Sequence, residues 1–278
     1  MTERIVYLVP TPIGNLGDIT LRALETLKNV DCIACEDTRH SGRLLQHFGI
    51  HKPLERLDAH TMLERGKSVL EKYARVAFVS DAGSPGLSDP GAELVSIALE
   101  LGIRIEALPG ANALIPAITL SGLPSGRFTF HGFLPRSGRE RAERLEEISV
   151  SSVTSVIYES PHRLHDTLLE LSDLCGTNRA CAVARELSKL HEEIYRGTLE
   201  ATALHFSGEV KGEIVLILAP NTVSLEPSLD YASKALEFAK NGLRVKEIRA
   251  KLQQLGLERN AAYDLALKVV SELTSSRV

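Results

Sequence analysis

The chain has 278 residues, 44% apolar and 24% charged, with a net charge of −4. That length suits two domains plus an appendage, and the composition excludes a disordered chain. It has no run of 18 apolar residues and no charged-then-apolar leader, so a soluble, cytoplasmic protein with no membrane span is expected.

The first hundred residues alternate short apolar runs with amphipathic stretches. Strands are expected at 5–9, 30–34, 54–57, 76–80 and 104–107. Helices are expected after Asp18, read as a cap for Ile19, Leu21, Leu24 and Leu27, and at 41–48, 61–73, 92–101 and 113–120. This βα alternation implies a mostly parallel sheet covered on both faces. Residues 121–126, Ser-Gly-Leu-Pro-Ser-Gly, form the best linker candidate. A second α/β unit follows, with strands at 128–132, 155–158, 180–184, 193–197 and 213–218 and helices at 138–148 and 164–175. Residues 220–227 look like a second linker. The remainder reads as three helices, with a helix-turn-helix-like rhythm over 243–270 and a tight turn at Gly256. The expected domains are therefore 1–121, 122–222 and 228–278.

Charge is unevenly spread. Residues 228–278 carry nine Lys/Arg against six Asp/Glu, leaving 23 against 30 elsewhere. A basic tail on an acidic body permits contact with nucleic acid without demanding it. Cys32 and Cys35 have C-x-x-C spacing inside an apolar run. Strand alternation puts the thiols on opposite faces, so buried structural cysteines are expected rather than a redox or metal pair.

Ligands of an open parallel sheet bind at the carboxyl ends of its strands. The loop 10–18 bears glycines but matches neither a dinucleotide fingerprint nor a phosphate loop. It has no Lys, and two prolines remove backbone donors. The loop 80–91 packs two Ser-Asp steps, three glycines and two prolines into twelve residues. Glycines allow close approach of backbone to ligand, prolines stiffen the loop, and Asp81 and Asp89 supply negative acceptors. Such a lining suits a hydroxylated ligand with a positive centre better than a phosphate; consecutive capped turns are the alternative. Pro109 and Gly110 open a helix and add little alone. The polar run Glu36-Asp37-Thr38-Arg39-His40 follows the second strand; it is either a substrate-orienting segment or a solvated helix start. Residues 159–163, 185–186 and 211–213 sit at strand ends and admit the same two readings. Arg136 and Arg139 precede an acid-balanced helix and are candidate phosphate contacts.

Taken in order, Val9–Asp18, Glu36–His40, Ser80–Pro85 with Ser88-Asp89-Pro90-Gly91, Pro109-Gly110, Tyr158-Glu159-Ser160, Ala184–Leu187 and Lys211-Gly212-Glu213 resemble the ribosomal RNA small subunit methyltransferase I family of the tetrapyrrole methylase superfamily. The likeness covers nearly the whole chain. The family usually has Thr where Ser84 and Pro161 stand here. The resemblance implies an α/β fold class with two α/β domains of the tetrapyrrole-methylase type and a small C-terminal helical domain. It implies S-adenosyl-L-methionine (SAM) in the cleft, a homodimer, and methylation of the ribose 2′-hydroxyl of a decoding-centre cytidine in 16S rRNA of the small ribosomal subunit. Pyrrole-modifying relatives share the 80–91 loop but not the Glu36–His40 segment. A tetrapyrrole methyltransferase and a non-catalytic nucleoside-binding module are the rival readings.

The expected donor contacts are Pro10, Gly14, Asp81, Ala82, Gly83, Ser84, Ser88, Asp89, Pro109, Gly110, Tyr158, Ala184 and Gly212. Removing the acceptor's proton calls for a general base. Asp37, His40, Glu159, Glu186 and Lys211 are candidates, with Arg39 supporting. Asp37 and Glu186 rank first because each has an Arg beside it. Expected RNA contacts are Arg136, Arg139, Arg185, Arg244, Lys246, Arg249 and Lys251, and no metal is expected.

Overall fold

Five short strands form the first sheet of the computed structural model, which describes residues 4–221, 231–255, 257 and 259–275. Strands β1 (Ile5–Leu8), β2 (Cys32–Cys35), β3 (Leu54–Arg56), β4 (Arg75–Val79) and β5 (Arg104–Ala107) are all parallel, in the order β3-β2-β4-β1-β5. Helices α1 (Leu21–Asn29) and α2 (Thr38–His47) cover one face. Leu27 and Leu45 pack there on Val9, Ile33 and Val79. Helices α3 (Met62–Lys72) and α4 (Ala92–Glu100) cover the other, with Leu70 and Leu94 against Val6, Val76 and Phe78. Both faces are buried, so the inner strands β1, β2 and β4 read as largely apolar runs, while the edge strands β3 and β5 carry charged residues. Cys35 joins the α1/α2 core, and alternation gives Cys32 to the opposite face. Burial pushes both thiols up, Cys32 to about 12.

Asp18 is not the cap expected of it. A 3-10 turn, Leu16–Asp18, is capped by Asn15, and Thr20 caps α1 by accepting the Ala23 N–H at 3.0 Å. The next helix also starts earlier than expected, at Thr38, because the Asp37 carboxylate accepts the Arg39 N–H at 2.8 Å.

The second sheet is mixed. Strands β6 (Phe128–Phe133), β7 (Thr154–Glu159), β8 (Ala180–Arg185), β9 (Glu193–Thr198) and β10 (Ile214–Leu218) lie in the order β6-β7-β10-β8-β9, and only β6 and β7 are parallel. Helices α6 (Arg139–Val150), α7 (Leu164–Cys175) and α8 (Leu199–His205) cover one face. The sequence reading missed α8. Thr198 caps it, accepting the Ala201 N–H at 3.2 Å.

The opposite face of this sheet is covered by α5 (Leu114–Ser121), which follows β5 of the first sheet. Its Leu114, Ala117 and Ile118 pack on Val156, Ala182, Val215 and Ile217. Residues up to Asn221 therefore form one compact unit, and the expected boundary at 121–122 falls inside it. The last residues form a separate unit with helices α9 (Tyr231–Lys240), α10 (Val245–Gln254) and α11 (Arg259–Ser275) around Ala235, Ile248, Leu252, Ala262 and Ala266. The expected turn at Gly256 and most of the 220–227 linker lie outside the described residues. Among the described residues no helix is long and apolar enough to cross a membrane.

Candidate functional site

Strand order brings the expected loops together. Strands β4, β1 and β5 are neighbours, so the loops leaving their carboxyl ends, 80–91, 10–18 and 108–112, converge at one sheet edge. A two-way backbone clasp joins the first two. Thr11 N–H donates to the Gly83 carbonyl at 2.9 Å, and Gly83 N–H donates back to the Thr11 carbonyl at 3.0 Å. The Thr11 hydroxyl donates to the Ser80 carbonyl at 3.2 Å, and the Ser84 hydroxyl to the Ala111 carbonyl at 3.2 Å. Pro10 packs directly on Gly110. The third loop is thereby pinned to the other two.

The second sheet supplies the facing wall. Because β10 runs antiparallel between β7 and β8, its start meets their ends. Val215 pairs with Tyr158 on one side and with Ala184 on the other. Phe130 and Phe133 meet Tyr158 edge-on, with ring centroids 4.8 and 5.6 Å away. Only three non-glycine residues among those described have left-handed backbone: Ser88, Glu186 and Ser188, with φ of 65°, 52° and 68°. All three lie in loops that line the cleft. Such strain costs on the order of 1–3 kcal/mol per residue and collects at functional sites. Gly212, at φ +96°, lies so close to the Glu186 side chain that no Cβ fits between them.

Between these walls lies a cavity of about 280 Å³. Its lining includes Ile13, Ala82, Gly83, Ser84, Leu87, Ser88 and Asp89 from the first half, and Phe133, Tyr158, Ala184, Leu187, Gly212 and Val215 from the second. It is largely apolar and aromatic, and its lining also holds three acids: Asp89, half-buried, Glu159, buried, and Glu213, exposed. Burial, with Asp81 and Glu213 nearby, raises the Asp89 carboxyl to about 6. Glu36 stands close by. Burial, with Asp89 and Asp81 adding repulsion, raises it to about 7, and its Oε1 is buried without a hydrogen-bond partner. A half-buried negative lining gains by pairing with a cation.

The family described as Tetrapyrrole (Corrin/Porphyrin) Methylases matches residues 5–203 of the chain. The protein called ribosomal RNA small subunit methyltransferase I in Synechocystis sp. is 43% identical over 276 residues, covering 96% of this chain and 99% of that protein. The Escherichia coli O157:H7 protein of the same name is 42% identical, covering 95% and 94%. The chain belongs to the tetrapyrrole methylase family, in its ribosomal RNA small subunit methyltransferase I branch. Solved methylases of the family share the fold. Uroporphyrin III C-methyltransferase from Thermus thermophilus superposes with a TM-score of 0.58 at 20% identity, covering 78% of this chain and 98% of that one. The methyltransferase CobJ superposes with 0.59 at 19%, covering 78% and 94%.

The cofactor of this methylase is S-adenosyl-L-methionine, which supplies an electrophilic methyl group on a sulfonium. The cavity fits it. Apolar and aromatic surface suits the adenine, backbone of the 80–91 loop is open to close approach, and Asp89 answers the positive charge.

Of the residues expected to hold the donor, Ala82, Gly83, Ser84, Ser88, Asp89, Tyr158, Ala184 and Gly212 line this cavity. Asp81 and Gly14 line an adjoining groove instead, and Gly110 a shallow depression on the other side. Pro109 lines none of these. The ranking of proton acceptors changes. Asp37 is engaged by Arg39 at 2.9 Å, which holds it well below the usual carboxylate range. Glu186 accepts from Lys189 Nζ at 2.7 Å and from the Glu213 N–H at 2.9 Å, and Lys189 likewise lowers it. Their cations make both weak bases.

The Glu159 carboxylate is buried and accepts from Thr167 Oγ1 and the Ser160 N–H, both at 2.7 Å. His40 lines the groove, and Arg39 is 86% exposed. Arg185 is tied to Glu193 at 2.8 Å and Arg139 to Glu143 at 2.6 Å, while Arg136 is exposed and has no partner among the described residues. In the tail, Arg244 and Lys246 are exposed, Lys251 lies over the Phe238 ring at 5.1 Å, and the Arg249 Nε is buried.

Sequence reasoning held Glu36 and Leu187 only as members of the 36–40 and 184–187 segments, with no role of their own, and missed Phe133. Only Glu36 left a signal: it continues the alternation of β2, which places it with Ala34 rather than on the helix that Asp37 starts.

Proposed function

We propose that this methylase transfers the methyl group of SAM to the ribose 2′-hydroxyl of a decoding-centre cytidine in 16S rRNA, acting as a cytoplasmic homodimer on the small ribosomal subunit. One observation carries the proposal. The likeness to proteins named for small-subunit rRNA methylation runs over 95–96% of the chain, well past the family match that ends at residue 203.

The chain's own residues divide the work as follows. The clasped 10–18 and 80–91 loops and the β7-β10-β8 edge hold the donor. Asp89 faces its positive charge. Positioning the hydroxyl in line with the methyl carbon supplies much of the rate, and the hydroxyl must lose its proton. Glu36 suits that step best. An acceptor raised to about 7 takes a proton near neutrality, and the hydrogen-bonding capacity of its buried Oε1 is unused. Glu186, with Gly212, shapes the cavity wall.

The test incubates the protein with methyl-labelled SAM and, in parallel, unmethylated small subunits, naked rRNA and a tetrapyrrole. Label in the subunit, mapped to a ribose 2′-oxygen, supports the proposal. Label in the tetrapyrrole overturns the acceptor. Binding of SAM with no transfer to any of them favours a regulatory module.

A further inference from the structure

The cavity opens beside a second, more exposed hollow of about 480 Å³, walled by Thr11, Pro12, Leu16, Asp81, Lys189 and one face of α2. The two share Ile13, Ala82 and Glu213, so whatever sits in the groove meets the donor cavity across those three residues.

The face of α2 turned to the groove consists of His40, Arg43, Leu44 and His47. These positions are spaced i, i+3, i+4 and i+7, a single stripe of the helix. From His40 to His47 the stripe runs about 10 Å at the α-helical rise. The opposite face, through Ser41 and Leu45, is buried against the sheet. This stripe is therefore rigidly mounted.

Its charge is only partly answered. Lys189 is matched by Glu186 at 2.7 Å and Glu213 at 3.1 Å, and Arg39 on the neighbouring face by Asp37 at 2.9 Å. Asp81 also lines the groove, with its Oδ1 buried and without a hydrogen-bond partner. Arg43 makes no ion pair or hydrogen bond with any described residue and is exposed. An unpaired guanidinium presents a donor fork that fits a phosphate bidentately.

We propose that this groove holds the phosphate backbone of the acceptor RNA as a single strand. Arg43 is the principal phosphate contact, His40 and His47 flank it, and the ribose lies against the boundary of Ile13, Ala82 and Glu213 where the methyl is delivered. This rests on the RNA-methyltransferase function proposed above and names its acceptor channel.

The test compares wild type with Arg43→Ala and Arg43→Ala/His47→Ala. It measures binding of unmethylated small subunits over a salt series, SAM affinity by calorimetry, and methyl transfer. Arg43→Ala should weaken subunit binding about tenfold and lower the salt slope by roughly 0.7 to 0.9 per lost phosphate contact. The loss should fall on KM more than on kcat. SAM affinity should stay within twofold, which also reports an intact fold. If wild type methylates the subunit and both variants bind and methylate it equally well with an unchanged salt slope, the groove is overturned and the function stands. If wild type neither binds nor methylates the subunit, function and groove fall together.

Discussion

Thr11 and Gly83 exchange two backbone hydrogen bonds, of 2.9 and 3.0 Å, across the tips of loops that leave the adjacent strands β1 and β4. Gly83 makes this exchange at φ +79°. An alanine there meets strain on the order of 1 kcal/mol, because the left-handed region disfavours a Cβ. Gly83→Ala should therefore raise the dissociation constant for SAM several-fold in calorimetry while far-UV circular dichroism stays unchanged.

The Asp89 carboxyl, raised to about 6, makes donor binding depend on pH. Below pH 6 it is neutral and its attraction for a sulfonium is lost. SAM affinity should rise as pH climbs from 5 to 7 and then level off. Asp89→Asn should abolish that rise and weaken binding at pH 7.5 about tenfold, the equivalent of ~1.4 kcal/mol.

Glu36→Gln separates binding from chemistry. Loss of a general base lowers single-turnover rates by roughly 10²–10⁴-fold, while SAM affinity should change less than threefold. The same variant tests a linkage. The Glu36 and Asp89 carboxyls are raised in the folded protein, so between about pH 4 and 7 the folded state keeps protons that the unfolded chain has released. Their contribution to stability is present at low pH and lost as pH rises through that window. Glu36→Gln should melt a few degrees, about 2–4 °C, above wild type at pH 8, with the gap closing at pH 4.

Glu159 supports the wall from inside. It binds Thr167, which accepts from the buried Arg141 at 2.9 Å. Removing one member of such a buried network costs on the order of 3–5 kcal/mol. Glu159→Ala should lower the melting temperature by roughly 10 °C. A variant that melts like wild type yet loses methyl transfer would assign Glu159 a chemical role instead.

Truncation after residue 227 removes a unit with its own core. The shortened chain should bind SAM as wild type does and bind the small subunit less tightly. Unchanged subunit binding would leave Arg244, Lys246, Arg249 and Lys251 without a part in RNA recognition.

Much of this was legible in the sequence because parallel strands announce themselves as apolar runs and their carboxyl ends carry glycine, proline and aspartate. The 80–91 loop was readable for that reason. Which of two adjacent acids lies within electrostatic reach of Asp89 was not. Asp37 and Glu36 are equally polar in a row of letters, but Asp37 is spent on capping α2 while Glu36 continues β2. The α2 stripe was equally hidden. Nothing in the letters singles out Arg43 and His47, and only the fold sets loop 10–18 and Lys189 opposite them. Phe133 enters through the pairing of β6 with β7, and Leu187 from the loop that follows β8, which no local pattern records.

The position of β10 has a consequence for biosynthesis. It follows the other four strands of its sheet in chain order and so leaves the ribosome after them, yet it occupies the middle of that sheet, between β7 and β8. Until residue 218 has emerged, β7 and β8 lack their shared partner, and the apolar side of α5 lacks half its cover. From the emergence of α5 to that of β10, about a third of its synthesis, the nascent chain therefore carries an open sheet and a sticky helix, a state prone to aggregation. The far wall of the cavity, with Tyr158, Ala184 and Val215, is assembled only when β10 joins β7 to β8.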